Sequence, residues 1–400
     1  MDDRRLNIQN ILIHFLFFSS FCGLMLFTAL YLSGRGFSAS MIGLVLCLGN
    51  FLGSAEQGFL AKRADQKGEG ALIRYGIYQL GLVAAVFLPL FLHPSLPRAY
   101  VFFAFFLAVT NTISAQTTFS SLVIAYESSG RKIHFSFIRG VGSFGFAFSS
   151  WVMGLYFVSH SIERLIGIVI LLNILCMILM GTLPLPEYKE KSGEEAPLFS
   201  DPPAPDRTHF FRKYPIFPIF LGFVLIFMVY TFINNYLTVI VSFKGGDAGK
   251  AGFAAAIAAI AEIPAMFIYL KLREKAKDFR WLIVSAIAFT IKAALLTIAS
   301  SMGLLYLSQA AQFISFGLFL PAFAYFINDL VKKEDLIQGQ GIPTAIMSLG
   351  GGLGSLFGGF SLDRLGMGPT LLLMTLLSFV GSLLAVCSLV HFVRTDPMGP

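Results

Sequence analysis

Charged residues are scarce in this chain of 400 residues. They make up 13% of it, whereas apolar residues make up 56% and the mean hydropathy is +0.76. A soluble domain usually carries about a quarter charged residues. So few charges cannot cover a surface that faces water on all sides. The composition therefore excludes an ordinary soluble protein.

Cysteine and the common catalytic motifs are also lacking. The four cysteines stand singly in apolar stretches, without the paired spacing of a zinc or redox site. The sequence contains no HExxH, no GxSxG and no glycine-rich loop of the kind that cradles phosphates. We therefore expect that the protein is not an enzyme and that it holds no metal and no cofactor.

Long apolar blocks fill the chain instead. A helix that crosses a bilayer needs roughly 20 mostly apolar residues. Twelve blocks meet this length, near 8–32, 40–61, 74–92, 99–121, 134–158, 163–183, 214–242, 250–271, 281–300, 302–328, 338–360 and 367–393. The longest polar break, 184–213, is rich in proline and charge. The sequence predicts an all-α polytopic membrane protein with 12 transmembrane helices. They form two pseudo-symmetric six-helix bundles, 1–183 and 214–400, around a central cavity and joined by the cytoplasmic linker 184–213.

The basic residues are distributed unevenly across this topology. Of the 29 Lys and Arg residues, 21 fall in segments on the side of the N-terminus and six on the other. Such a bias marks the cytoplasmic side, so both termini are expected there. The net charge of +7 is thus a topology signal and does not indicate nucleic acid. We expect a multi-pass protein of the bacterial inner membrane, a monomer in contact with the lipid bilayer, and no cleavable signal peptide.

The two halves show an internal repeat. An offset of 209 residues that aligns Lys62 with Lys271 also aligns several glycines: Gly43 with Gly252, Gly142 with Gly351 and Gly145 with Gly354. Transporters built from repeated halves bind their substrate near the bilayer midplane, where the repeats meet. Six plus six spans with a long cytoplasmic linker resembles the major facilitator superfamily over essentially the whole chain.

Four stretches narrow this resemblance. Span 5, FSFIRGVGSFGFAFSSWVMG, is similar to the YGxxRxxGSxGFA signature of the sugar, nucleoside and phenylpropionate proton symporters related to lactose permease. AEIPAMF at 261–267 resembles the segment of span 8 that carries a buried Glu in that group. The stretches YFINDLVKKEDLIQGQG and SLGGGLGSLFGGFSLDRLG resemble the end of span 10 and all of span 11.

The loop signature GxLADRxGR of the superfamily is degraded in this chain. Residues 58–68 read GFLAKRADQKG, so that Lys62 replaces the expected acid and Asp65 is displaced. We expect Asp65 and Glu56 to belong to a gate, with packing, or a pair of Glu56 with Lys62 or Arg63, as the alternative. The better match, GFSLDRLG at 359–366, is expected to cap span 11 and pack it on span 12.

Two ionisable residues lie at similar depth on neighbouring spans. Glu262 lies in span 8 and Lys292 in span 9, and an ionisable group within the hydrocarbon marks a pathway or a paired site. We expect the two to neutralise each other and to serve proton coupling. The alternative is a permanent ion pair that only fixes packing. In the symporters that the chain resembles, a Glu in span 8 binds substrate and a base in span 9 assists proton release.

The resemblance also implies substrate contacts. It pairs an acid of span 4 with the Arg of span 5, here Glu127 with Arg139, and the alternative is a structural pair. The amides Gln116, Asn234, Asn235 and Gln312 fall inside spans and are expected to bind substrate, although hydrogen bonds between helices would also explain them. His14 is expected to be a packing residue, with a proton relay as the alternative. Span 10 carries Gln312 and Ser315 where relatives of lactose permease carry His and often Glu. Any proton coupling must therefore depend more on Glu262, or Glu127 must contribute to it.

These observations predict a secondary active transporter that works by alternating access. We expect proton-coupled symport of a small polar or amphipathic solute, such as an oligosaccharide, a nucleoside or an aromatic acid. The proton is the expected coupling ion. Two alternatives remain open at this point: proton-driven efflux of toxic compounds, and a membrane sensor on the same scaffold that transports nothing.

Overall fold

A computed structural model describes residues 2–67, 70–186, 207–332 and 335–395, and the chain folds into helices there. The helices are α1 (Asp3–Leu26), α2 (Thr28–Gly34), α3 (Ala39–Lys67), α4 (Ala71–Leu92), α5 (Arg98–Ser128), α6 (Phe135–Ser159), α7 (Arg164–Gly181), α8 (Arg207–Lys213), α9 (Phe217–Asn235), α10 (Leu237–Phe243), α11 (Ala248–Arg273), α12 (Asp278–Ile298), α13 (Met302–Ala310), α14 (Phe316–Leu330), α15 (Leu336–Leu365) and α16 (Met367–Thr395). A 3-10 turn, Ala311–Phe313, connects α13 to α14.

Twelve spans within these ranges are long and apolar enough to cross a membrane. One of them, Met302–Leu330, contains both α13 and α14. The predicted all-α class with twelve transmembrane helices is confirmed. The bundle limits 1–183 and 214–400 stay a prediction, and most of the linker, 187–206, lies outside the described residues.

The chain divides into two compact units. Unit 1 comprises 1–36 and 48–202, and unit 2 comprises 37–47 and 203–400. In unit 1, α1 packs on α6 and α7, and α4 packs on α5 and α7. Glycine in α6 makes the first contact close: a Cβ atom on Gly142 would lie 2.5 Å from the ring of Phe18. Small residues at such crossings let helix backbones approach in a membrane.

In unit 2, α9 is the central helix and packs on α15 and α16. A Cβ atom on Gly354 of α15 would lie 2.1 Å from the Met228 carbonyl oxygen of α9, so only glycine fits there. Phenylalanines fill the space between α9, α12 and α14, with the rings of Phe227 and Phe319 4.7 Å apart. This packing fixes the inner faces of α9, α12 and α14 relative to one another.

The tenth span is interrupted near its middle. Between α13 and α14 the backbone forms a 3-10 turn, and Ser315 follows with ψ −85°. Ser285 of α12 donates its hydroxyl to the Ser315 carbonyl oxygen at 2.7 Å, which ties the break to a neighbouring helix. Irregular backbone at membrane depth needs such partners because lipid offers none. The break positions Gln312 toward α11 and α12.

The first turn of α3 belongs to unit 2 because α15 and α9 hold it. The Asp363 carboxylate accepts hydrogen bonds from the backbone N–H groups of Ala39 at 2.9 Å and Ser40 at 2.7 Å. The Tyr236 hydroxyl donates to the Ala39 carbonyl at 2.9 Å. The N–H groups at a helix start lack partners within the helix. Asp363 therefore caps α3, which differs from the predicted capping of span 11 and packing on span 12.

Candidate functional site

A buried polar cluster lies in unit 2, where α9, α11, α12 and the break in the tenth span meet. Lys292 of α12 is 1% exposed, and its ammonium donates a hydrogen bond to Gln312 Oε1. The Gln312 amide nitrogen donates to Glu262 Oε1 of α11 at 2.5 Å and to the Tyr230 hydroxyl of α9 at 3.0 Å. The Lys292 ammonium also lies 5.4 Å from the centre of the Tyr230 ring, within cation–π range.

The orientation of the Gln312 amide follows from the charges on either side. A glutamine side chain has one acceptor oxygen and one nitrogen with two hydrogens. The oxygen faces the cation, and the two hydrogens serve a carboxylate and a hydroxyl. Gln312 thus links a positive and a negative group that are both inside a membrane span. A change of charge on Glu262 therefore alters the hydrogen bonding of Gln312, and through it that of Lys292.

An electrostatic interaction joins Glu262 and Lys292, and their expected mutual neutralisation stays a prediction. Gln312 lies between the two and is hydrogen-bonded to both. The cause is the break in the tenth span, which brings an amide side chain between α11 and α12. The predicted roles of Glu262, Lys292 and Gln312 stay predictions, but the structure does bring all three together.

Aromatic rings border the cluster on one side. Tyr230 stacks on Phe316 with 5.2 Å between ring centres and an interplanar angle of 6°, and the edge of Phe289 meets Tyr230 at 5.6 Å. Sequence reasoning missed Tyr230 because a tyrosine in an apolar helix is usually core. Its position one turn before Asn234, on the same face of α9, was the available signal. Planar rings beside hydrogen-bonding groups suit a solute with a flat apolar part and polar edges.

The two asparagines of α9 differ in their contacts. Asn234 forms a side-chain hydrogen bond with Tyr230 and so extends the polar cluster. Asn235 donates to the Ser355 hydroxyl of α15 at 2.8 Å. The contact of Asn235 is a hydrogen bond between helices, as in the alternative considered for these amides. Substrate binding by either residue stays a prediction.

In unit 1, Glu127 and Arg139 have different neighbours among the described contacts. The Arg139 guanidinium lies 4.6 Å from the centre of the Phe18 ring and donates to Ser143 at 3.0 Å. Glu127 lies on the last turn of α5 with 44% of its side chain exposed, and it is 4.0 Å from His134. The expected pair of Glu127 with Arg139 stays a prediction.

His14 and Gln116 complete the polar residues of this unit. His14 is buried, contacts Phe18 and Phe119, and has its Nδ1 3.0 Å from the Asn10 carbonyl, as expected of a packing residue. Gln116 is half-buried on α5. The structure leaves the predicted substrate roles of Gln116, Glu127 and Arg139 as predictions.

The candidate gate residues lie on α3. Glu56 is half-buried and forms a hydrogen bond with Ser114 of α5. The Arg63 guanidinium, the partner in one alternative considered for Glu56, lies over the Phe59 ring at 4.5 Å. The side chains of Lys62 and Asp65 lie outside the described part of the chain. The gating roles of Glu56 and Asp65 stay predictions.

Comparison with solved structures shows the same fold in known transporters. The nucleoside transporter NupG aligns over 98% of this chain and 100% of its own, with a TM-score of 0.82 and 17% identity. The peptide transporter POT in complex with alafosfalin covers 98% of this chain and 94% of its own, with a TM-score of 0.71 and 12% identity. A bacterial homologue of the human lysosomal transporter Spinster covers 99% and 96%, with a TM-score of 0.62 and 13% identity. At these identities the likeness shows the fold alone.

Sequence comparison identifies the family. No curated protein matches the chain. The sequence model described as the MFS_1 like family matches residues 9–373, which is most of the chain. With twelve spans and the fold of known transporters, the chain belongs to the MFS_1 like family of the major facilitator superfamily and is a membrane transporter, not an enzyme.

Proposed function

We propose that the protein is a proton-coupled symporter in which Glu262 binds the coupling proton, Gln312 links it to Lys292, and the bound solute contacts this cluster. The observation that carries the proposal is the buried network of Lys292, Gln312 and Glu262. Ionisable groups inside the membrane are costly and mark ion or proton pathways. The Gln312 linkage supports a site whose two charges respond to each other.

Alternating access gives this network its role. A ligand can shift a conformational equilibrium only by as much as it binds one state better than the other. An ionised Glu262 resists enclosure when no solute is present, because it must leave water without gaining a new partner. Protonation removes that charge, and the solute replaces lost water contacts. Both ligands then favour the same enclosed state, which is the requirement for symport.

Lys292 is the second charged group in the proposed mechanism. While Glu262 is ionised, the Lys292 ammonium balances its charge through Gln312. When Glu262 takes up a proton, the remaining positive charge favours release of a proton from the cluster later in the cycle. Lysine can lose its own proton when buried, whereas arginine in the same place stays charged. The lysine therefore offers a second titrating group at the site.

A nucleoside or a similar amphipathic solute is the proposed substrate. The stacked rings of Tyr230 and Phe316 provide an aromatic surface for a flat base or ring. The adjacent Asn234, Gln312 and Glu262 offer donors and acceptors for its polar edges. The solved structure of a nucleoside transporter with the same fold adds support. Oligosaccharides and aromatic acids are the next candidates. Arg139, Glu127 and Gln116 stay proposed substrate contacts.

The proposal includes a location and a topology. We place the protein in the bacterial inner membrane as a monomer, with both termini in the cytoplasm, as the distribution of Lys and Arg indicates. The lipid bilayer and a small-molecule solute are its proposed partners. No metal or other cofactor enters the proposed mechanism.

Transport by purified protein in liposomes tests the proposal. We expect a pH gradient, acidic outside, to drive uphill uptake of labelled nucleoside. The Glu262→Gln variant should lose uphill uptake and keep exchange of solute across the membrane, since exchange needs no net proton movement. Glu163→Gln is the matched control, because Glu163 is half exposed and pairs with Arg35 away from the cluster. Uphill uptake by Glu262→Gln at the rate of this control would contradict the proposal.

A thermal-shift screen against nucleosides, sugars and aromatic acids tests the substrate class. We expect nucleosides to raise the melting temperature of the protein. The size of this increase should change in Glu262→Gln and stay the same in Glu163→Gln. Stabilisation by sugars alone would identify sugars, and not nucleosides, as the substrate class. Proton-driven accumulation of solute inside inverted vesicles, whose lumen corresponds to the outside of the cell, would favour efflux and refute symport. No flux of any solute would favour a sensor and would also refute symport.

A further inference from the structure

We propose that Glu56, together with Ser114 and Gln79, forms a second proton-binding site, located in unit 1 and separate from the function proposed for Glu262. Glu56 lies in the span Ala39–Leu60 of α3. Its Oε2 atom is fully buried and has no hydrogen-bond partner. A buried carboxylate oxygen without a donor is costly when it carries charge. A proton on this oxygen removes the charge.

The packing of α3 holds Glu56 at a contact between helices. A Cβ atom on Gly53 would lie 2.7 Å from the Thr110 carbonyl oxygen, so α3 presses closely on α5 at this height. Gln57 donates its side-chain amide to the Ile113 carbonyl at 2.8 Å. Glu56 lies between these two anchors. Its carboxyl group is therefore at the seam with α5 and not on the lipid-facing side of α3.

One hydroxyl joins the other two members of the cluster. Gln79 of α4 is 0% exposed and donates its amide nitrogen to the Ser114 hydroxyl at 2.8 Å. A hydroxyl that accepts from Gln79 still has its own hydrogen, which it can donate to the Glu56 carboxylate. The Gln79 Oε1 atom is buried and has no donor either. The cluster thus contains two unmatched acceptor oxygens, and a proton on Glu56 would convert one of them into a donor.

The ionisable side chains that the structure describes around Glu56 do not balance its charge. On α3 the Arg63 guanidinium lies over the Phe59 ring, and the side chains of Lys62 and Asp65 lie outside the described part of the chain. On α4, Arg74 is exposed and the Tyr75 hydroxyl is another buried group without a partner. On α5 the ionisable side chains lie at least three turns from Ser114; they are Arg98, Tyr100, Tyr126 and Glu127. Among the described side chains no cation pairs with Glu56, and a proton would neutralise it.

The internal repeat gives the two carboxyl groups comparable positions. The offset of 209 residues places Glu262 opposite Gly53, one helical turn from Glu56. The carboxyl in unit 2 is balanced by Lys292 through Gln312, and the carboxyl in unit 1 has an amide and a hydroxyl only. Each half therefore carries a carboxyl group in the equivalent span, and among the described side chains only the carboxyl group of unit 2 has a cation beside it.

A proton held by Glu56 links pH to conformation. If α3 moves relative to α5 in the transport cycle, the site changes its affinity for the proton, and proton binding then biases that movement by the same free energy. This effect does not need Glu262. The transporter would respond to pH even where Glu262 has been replaced.

Infrared spectroscopy tests the proposal without any transport measurement. A protonated carboxylic acid gives a carbonyl band that ionised carboxylates and amides do not, and the band shifts in D₂O. For the purified protein in lipid at neutral pH we expect such a band. It should be lost in Glu56→Gln and kept in Glu262→Gln. A wild-type spectrum without the band, or a Glu56→Gln spectrum with the band unchanged, would overturn the proposal.

Ser114→Ala provides the second variant, which leaves the carboxyl group in place. Loss of the Ser114 hydrogen bond should shift the acid band to a higher frequency without removing it. An unshifted band would assign it to another carboxyl group. Since the spectra depend on Glu56 alone, they stay decisive if uptake by Glu262→Gln contradicts the symport proposal.

Discussion

Replacement of Gln312 by leucine removes three hydrogen bonds at once, and the expected cost can be worked out from the structure. One bond goes to a cation, one to a carboxylate and one to a hydroxyl. Hydrogen bonds to charged groups contribute about 1.5–3 kcal/mol each and neutral ones about 0.5–1.5 kcal/mol. Such contributions are not additive, and breaking one side of a buried pair costs about 3–5 kcal/mol. We therefore expect Gln312→Leu to lower the free energy of unfolding by about 3–5 kcal/mol.

Gln309→Leu is the matched control. Gln309 is 0% exposed and lies one turn earlier in the same span, but its amide donates only to the Ser308 hydroxyl, at 3.2 Å. Its Oε1 atom already lacks a partner, so leucine removes one neutral bond and one unmatched acceptor. We expect a change of about 1 kcal/mol or less from this substitution.

Thermal unfolding can compare the two variants directly. Cys22 and Cys176 are 0% exposed, so a thiol-reactive fluorescent dye reports their exposure to solvent as the protein unfolds. Gln312→Leu should melt well below Gln309→Leu. Equal melting temperatures would refute the claim that Gln312 links the two buried charges. Gln312→Glu should recover part of the stability, because a carboxyl group there accepts directly from Lys292.

Two further predictions concern residues outside the cluster. Asp363→Ala removes the cap of α3 and should lower the free energy of unfolding by about 1 kcal/mol. A cysteine probe introduced by Ser40→Cys in that background should react faster with a soluble thiol reagent. An unchanged rate would contradict the capping role. Before the first turn of α15, hydrogen bonds from Lys213 and then Tyr214 lower the pKa of Asp335. This contact stabilises the fold above the ordinary carboxyl pKa and is lost as pH falls through the lowered value. The melting temperature of wild type should therefore exceed that of Asp335→Asn by a constant amount above about pH 5 and by less at lower pH, and a difference that grows on acidification would refute it.

The sequence predicted the membrane spans well because their signal is local. Apolar runs of sufficient length have few other interpretations, so the spans near Glu262 and Lys292 and the depth of both residues followed from composition alone. Depth on two neighbouring helices also made their proximity a reasonable expectation. The presence of Gln312 between them did not follow, because the break between α13 and α14 leaves no clear mark in an apolar stretch.

Contacts between segments that are distant in the sequence were the least predictable part of the structure. Asp363 caps a helix that begins 324 residues earlier, and no local pattern encodes such a pairing. The Glu127–Arg139 pair rested on resemblance to other symporters and stays a prediction, while the described contacts of the two residues are with His134 and with Phe18 and Ser143. Glu56 was expected at a gate, and its contact with α5 beside Gly53 could not be foreseen from the residues of α3 alone.

Proton movement itself is the most direct test of the central claim. Purified protein in liposomes without an imposed gradient is mixed with a saturating concentration of the nucleoside identified by the thermal-shift screen, and the external pH is recorded in weak buffer. The account predicts alkalinisation that accompanies solute entry in wild type and in Glu163→Gln, and none in Glu262→Gln. Solute entry by wild type without any change of external pH would contradict proton coupling.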